Sequence, residues 1–111
     1  MKNMEITNNG YRVVVSATCK NSIFNTFEYI STNLNANNAS KHLKTLISRA
    51  IENLKNSPYM YPIIKKYKGI NLEYRRIVLG NFIMLYSINE RNKTAYLSHF
   101  YYGKSNYLEK I

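Results

Sequence analysis

Leu72–Lys104, LEYRRIVLGNFIMLYSINERNKTAYLSHFYYGK, decides the fold. It reads as three consecutive strands joined by two short turns. Leu72–Leu79 is the first. Its alternation puts Leu72, Tyr74, Arg76 and Val78 on one side and Glu73, Arg75, Ile77 and Leu79 on the other, so the adjacent arginines point to opposite faces. Gly80-Asn81 is a two-residue hairpin signal, with glycine supplying a positive φ. Phe82–Ile88 is the next strand, Asn89–Lys93 the second turn, and Thr94–Tyr102 the last strand, ended by Gly103.

Upstream, Tyr11–Ser16 (YRVVVS) is short and valine-rich and reads as a strand. Its valines alternate poorly, which suits a strand covered on both faces. Ser16 or Thr18 is placed to cap a helix over Ala17–Leu34. Ile23, Phe27, Ile30 and Leu34 recur on one face of that helix, and Phe24 widens the stripe. Asparagines break the chain at Asn33–Asn38. A second helix fits Ala39–Lys55, with Leu43, Leu46, Ile47, Ala50, Ile51 and Leu54 as its apolar stripe. Two such helices with a short connection form a hairpin that covers a sheet. Pro58 ends the second helix. Tyr59–Ile70 is expected to be an ordered loop anchored by Tyr59, Met60 and Ile63, and Asn106–Ile111 a short helix or a tail. The predicted class is α+β: a two-layer sandwich of order β-α-α-β-β-β, with a mainly antiparallel four-stranded sheet and the helical hairpin on one face, over a single domain of residues 1–111.

Composition narrows the function. A chain of 111 residues, 45% hydrophobic, supports one folded domain with a modest core. No apolar run reaches the roughly 18 residues of a membrane span, and residues 1–10 are polar, unlike a signal peptide, so a cytoplasmic location is expected. A single cysteine, Cys19, suits a reducing compartment. Net charge is +10, from 16 Lys and Arg against 6 acids. Lys65, Lys66, Lys68, Arg75 and Arg76 fall within twelve residues, offset there by Glu73 alone. Such a field draws polyanions and acidic protein segments.

The residues exclude some chemistries. Cys19, His42, His99 and the glutamates show no zinc-type spacing, and the scattered glycines form no phosphate loop, so neither metal nor cofactor is expected. His99 reads as a packed or half-exposed strand histidine. The set Arg75, Arg76, Tyr101, Tyr102, Lys104 and Tyr107 is more telling. Metal-free RNA cleavage needs a base for the 2′-hydroxyl, cations for the charged phosphorane and an acid for the leaving oxygen. Arg and Lys serve the second need, and Tyr or Lys the others. The plainer alternative is that an arginine holds a carboxylate and the tyrosines pack.

The chain resembles toxins of the RelE/ParE superfamily, the toxic half of bacterial type II toxin–antitoxin modules. The resemblance lies in YRVVVS before the first helix, FEYISTNLNANNASKHLKTLISRAIENLKNSPYMYP across the helical hairpin, EYRRIVLGNFIMLYSINE across the central hairpin and YYGKSNYLEKI at the end. It implies a four-stranded sheet backed by helices, a cognate antitoxin that wraps and neutralises the toxin, and one of two activities: ribosome-dependent mRNA cleavage in RelE-like members, or poisoning of DNA gyrase in ParE-like ones. Ribonuclease members carry an arginine in the third strand shortly before a characteristic tyrosine, whereas Ile83 and Met84 precede Tyr86 here. Tyr102 and Lys104 match the C-terminal pattern, while Ser105 and Asn106 stand where charged residues are common. Tyr-Arg-Arg-Ile and Tyr-Gly-Lys match the ParE-like branch better. The resemblance thus implies a ParE-like toxin, with Lys65, Lys66, Lys68, Arg75, Arg76, Tyr101, Tyr102, Lys104 and Tyr107 meeting target or antitoxin. Were it a ribonuclease, Arg75, Arg76, Tyr102 and Lys104 would be its catalytic candidates. An isolated chain is expected to expose an apolar patch and self-associate, for instance as a homodimer.

Overall fold

A computed structural model describes residues 10–34, 37–103 and 107–111. The elements are β1 (Arg12–Val15), α1 (Ala17–Tyr29), a π-helical continuation (Ile30–Leu34), α2 (Asn37–Asn56), a 3-10 turn (Pro58–Met60), β2 (Ile63–Tyr67), β3 (Leu72–Leu79), β4 (Phe82–Asn89), β5 (Thr94–Tyr102) and a terminal 3-10 turn (Tyr107–Lys110). They build a five-stranded mixed sheet of order β1-β5-β4-β3-β2. β1 runs parallel to β5, and every other pairing is antiparallel.

The α+β class and both helices agree with the sequence reading, but the strand count does not. Ile63–Tyr67 is a strand, paired to β3 through Ile63↔Arg75, Lys65↔Tyr74 and Tyr67↔Leu72 with a bulge between Ile63 and Lys65. Its sequence, IIKKY after Pro62, lacks alternation and carries two lysines. Those are features of an edge strand, which long-range pairing, not local pattern, holds in the sheet. The anchors of this region also differ from expectation. Tyr59, Met60 and Ile63 are exposed, whereas Pro58 is buried and Tyr61 packs on the core. The terminal segment is a 3-10 turn over Tyr107–Lys110.

β1 is likewise an edge strand covered on one side only: Arg12 and Val14 are exposed while Val13 and Val15 pack on the core. Ser16 follows it and caps α1, its Oγ accepting from the Cys19 N–H at 3.0 Å and donating to the Ser98 carbonyl at 3.1 Å. Ile23, Phe27 and Ile30 of the first stripe face inward, but Phe24 is 63% exposed and does not widen it. The α2 stripe packs as read, from Leu43 to Leu54.

The β3–β4 hairpin turns through Gly80 and Asn81, with Leu79 paired to Phe82 and Gly80 at φ +62°. Cross-strand partners share a face, which sorts the sheet. Ile77, Leu79, Met84, Tyr86, Ala95, Leu97 and Phe100 lie beneath the helices in the core. Tyr74, Arg76, Val78, Ile83, Leu85, His99 and Tyr101 lie on the opposite, helix-free face. A register shift makes this sorting possible. Leu85 pairs with His99 but Tyr86 with Leu97, leaving Ser98 as an extra residue in β5. The bulge turns Leu97 toward the core and His99 away from it, although the two are of the same parity.

Candidate functional site

The helix-free face carries a chain of rings. Tyr67 meets Tyr74 edge-on at 6.0 Å between centroids, and Tyr74 meets His99 at 5.7 Å. His99 stacks on Tyr101 at 5.5 Å, and Tyr101 stacks on Tyr107 at 6.2 Å. Two cations border the chain. The Lys65 Nζ lies 5.1 Å over the Tyr67 ring and donates to the Ile111 main-chain oxygen at 2.6 Å. The Arg76 Nη1 donates to the Tyr107 hydroxyl at 3.1 Å, while its Nε is buried without a hydrogen-bond partner. His99 Nδ1 and the Tyr101 hydroxyl lie 3.2 Å apart. Burial lowers the His99 pKa from its usual 6.5, so the imidazole is neutral at pH 7, and burial raises the Tyr101 phenol.

These residues can grip an anion and stack a planar group. Arg76 offers a guanidinium with an unused donor, Lys65 a point charge, and the rings their faces. His99 and Tyr101 add a neutral imidazole beside a phenol, the pairing from which proton transfer is built.

The set singled out in the sequence divides. Arg76, Tyr101, Tyr107 and Lys65 come together on the open face. Arg75 lies on the other side, where its Nη1 donates to the Tyr59 and Tyr61 carbonyls at 3.1 and 2.6 Å and its guanidinium sits 5.1 Å over the Tyr59 ring. Tyr102 points to the helix side, 5.8 Å from Phe82. Lys66 is exposed and pairs with Glu73 at 3.6 Å, and Lys68 is exposed in the turn after β2. Lys104 lies outside the described residues. The sequence reading passed over Tyr67, Tyr74 and His99 as site members. Strand alternation already put Tyr74 beside Arg76, but the Ser98 bulge, invisible in sequence, is what brings His99 there.

A second feature is an apolar groove of about 800 Å³ between the helices and the β3–β4 hairpin. Ile30, Leu43, Leu46, Leu79 and Phe82 are among its lining residues, as are the exposed rings of Tyr29 and Tyr102. Asn81, also in the lining, accepts at its carbonyl from the Gly103 N–H at 2.7 Å.

Residues 13–107 match the family described as the ParE toxin of type II toxin–antitoxin system, parDE. The chain belongs to the ParE toxin family. It is the toxin component of a type II module, whose partner is an antitoxin. Among solved structures, this ParE-family chain is similar to the archaeal RelE-RelB complex from Pyrococcus horikoshii OT3, at 17% identity over 86% of this chain and 97% of that one, with a TM-score of 0.60. At that identity the likeness is one of fold. No curated protein matches the chain. Among the described residues, no helix is long and apolar enough to cross a membrane.

Proposed function

We propose that this toxin arrests growth by binding a macromolecule much larger than itself through the helix-free face, that the target is DNA gyrase, and that its cognate antitoxin silences it. The observation that carries the reading is Arg76, whose guanidinium is directed to the helix-free face beside Lys65 and held there by a phenol. The β4 residues on that face are Ile83, Leu85 and, farther along, Ser87. They bring no cation to the middle of the patch, which suits a surface for holding a partner better than one for stabilising a phosphorane. Membership of the ParE family supports gyrase as the target. The antitoxin is assigned to the apolar groove, where Tyr29 and Tyr102 would act as aromatic anchors buried on binding, while the chain's net charge of +10 speeds the approach of an acidic partner.

The test is a supercoiling assay with purified gyrase. Loss of supercoiling and accumulation of cleaved DNA, both reversed by the antitoxin, are expected. Untouched supercoiling with no cleaved DNA removes gyrase as the target.

A second reading, a metal-independent endoribonuclease acting on ribosome-bound mRNA, rests on the His99–Tyr101 contact beside Arg76 and Lys65. A neutral imidazole is competent as the base that activates the 2′-hydroxyl, with the cations facing the phosphate. Mapping mRNA 5′ ends after induction separates the two, since codon-linked cuts arise only from the ribonuclease.

A further inference from the structure

Both cations bordering the ring chain are engaged by one short segment, the turn Tyr107–Lys110 and the residue after it. Arg76 donates to the Tyr107 hydroxyl, Lys65 donates to the Ile111 main-chain oxygen, and the Tyr107 ring lies on Tyr101 at an interplanar angle of 23°. From the terminal segment, a neutral phenol oxygen thus meets the Arg76 guanidinium, a group that holds charged acceptors far more strongly. The match is incomplete: the Arg76 Nε is buried and still lacks an acceptor. A guanidinium has five donors in a planar fork, and a single hydroxyl meets only part of it. The segment's hold comes from these contacts and not from the core, since Leu108 beside Tyr107 is 50% exposed.

We propose that the turn is a built-in competitor for the helix-free face: it occupies an oxyanion site formed by Arg76 and Lys65, and a phosphodiester group displaces it. The proposal rests on the reading of this face as the target-binding surface and adds how that surface is regulated. A phosphodiester offers two anionic oxygens in the geometry of the guanidinium fork, so Nε and Nη gain acceptors together. Departure of Tyr107 uncovers the Tyr101 ring, and a base can stack where the phenol lay. Affinity is reduced by the fraction of molecules in which the turn is closed, so loosening the turn raises affinity without adding any contact. The phosphodiester could belong to DNA held by gyrase or to mRNA held by the ribosome, and the probe arms tell these apart through the 2′-hydroxyl.

The experiment measures binding of fluorescein-labelled single-stranded decamers, one DNA and one RNA, to the full chain by anisotropy at fixed salt. Tyr107→Ala is expected to tighten binding about tenfold and Tyr107→Phe, which keeps the ring but not its hydroxyl, a few-fold. Arg76→Ala is expected to weaken binding at least tenfold and to abolish the gain from Tyr107→Ala in the double variant. Circular dichroism identifies any variant that fails to fold, and Tyr107→Phe, the milder change, then carries the comparison. Unchanged affinity in the folded Tyr107 variants overturns the proposal, as does a gain that persists without Arg76 or the absence of binding by every variant. Growth arrest by the unaltered toxin, relieved by antitoxin, is scored in parallel. Arrest without a Tyr107 effect refutes the competitor and leaves the toxin reading standing.

Discussion

Arg75 and Arg76 are neighbours on β3 that work on opposite sides of the sheet. Arg75 clamps the carbonyls of Tyr59 and Tyr61 and so fixes the turn after α2 to the sheet. Arg76 reaches the helix-free face and meets Tyr107. One is spent on the fold and the other is offered outward. Arg75→Ala is therefore expected to cost about 2 kcal/mol, the scale of hydrogen bonds to a charged group, and to lower Tm by roughly 8 °C or more. Arg76→Ala is expected to stay within about 1 kcal/mol of the parent and to lose toxicity. Thermal melts followed by circular dichroism, together with a growth assay, check both. A reversed pattern would exchange the two roles.

Tyr86 has no solvent exposure and donates to the Pro58 carbonyl at 2.5 Å. Burial raises its phenol pKa far above the usual 10, so the hydroxyl stays protonated and remains a donor. Tyr86→Phe leaves a buried carbonyl without that donor and is expected to cost about 1–3 kcal/mol. The urea midpoint, measured with an unchanged m-value, reads the loss.

Glu90 gathers three partners: Lys93 at 2.7 Å, and the hydroxyls of Tyr59 and Tyr11, each at 2.7 Å. The Lys93 contact, followed by the Tyr59 and Tyr11 hydrogen bonds, lowers the carboxyl from its usual 4.5 to about 2. A carboxylate whose pKa is depressed by folding stabilises the protein fully above its unfolded value, and that stability is lost as pH falls through the folded value. The stability difference between the parent and Glu90→Gln should thus be constant at neutral pH and shrink between about pH 4.5 and pH 2. Urea titrations across that range measure it, and a difference that does not change with pH would show that the contact carries no linkage.

Cys19 is fully buried in the first turn of α1, and burial pushes its thiol up to about 11. The thiolate is the reactive form, so the native protein should resist alkylation at pH 8 while the urea-unfolded chain reacts at the ordinary rate. Mass spectrometry after an iodoacetamide pulse distinguishes the two. Rapid labelling of the native chain would mean that α1 opens locally.

Tyr29 and Tyr102 flank the apolar groove with exposed rings. Replacing either with Ala is expected to weaken antitoxin binding about 10–100-fold, or about 1.4–2.8 kcal/mol, as for aromatic anchors at interface centres. Stability should change by less than about 1 kcal/mol, because neither side chain is core. Calorimetric titration with the antitoxin gives the affinities, and unaltered values would move the antitoxin off the groove.

The three strands of Leu72–Tyr102, both helices and their apolar stripes were legible because local period is a strong signal where one face is buried. The fate of the two arginines followed from the same alternation. β2 was not legible, since an edge strand rich in lysine has no periodic imprint and exists through its pairing with β3. Phe24 misled because it sits at the margin of a stripe, where a few tens of degrees of helix rotation separate core from solvent. Arg75, Arg76 and Tyr102 looked like one cluster because residue type groups them, and the pleat turns Arg76 away from the other two.

Taken alone, the amino-acid order determined the α+β class, the hairpin at Gly80-Asn81, the apolar faces and the excess of positive charge, all of which are properties of neighbours along the chain. Tertiary structure decided the fifth strand, the bulge at Ser98 that turns His99 outward, and the meeting of Arg76 with Tyr107 across 31 residues. These depend on which backbone groups find each other across long loops, and loop closure leaves no periodic mark in sequence.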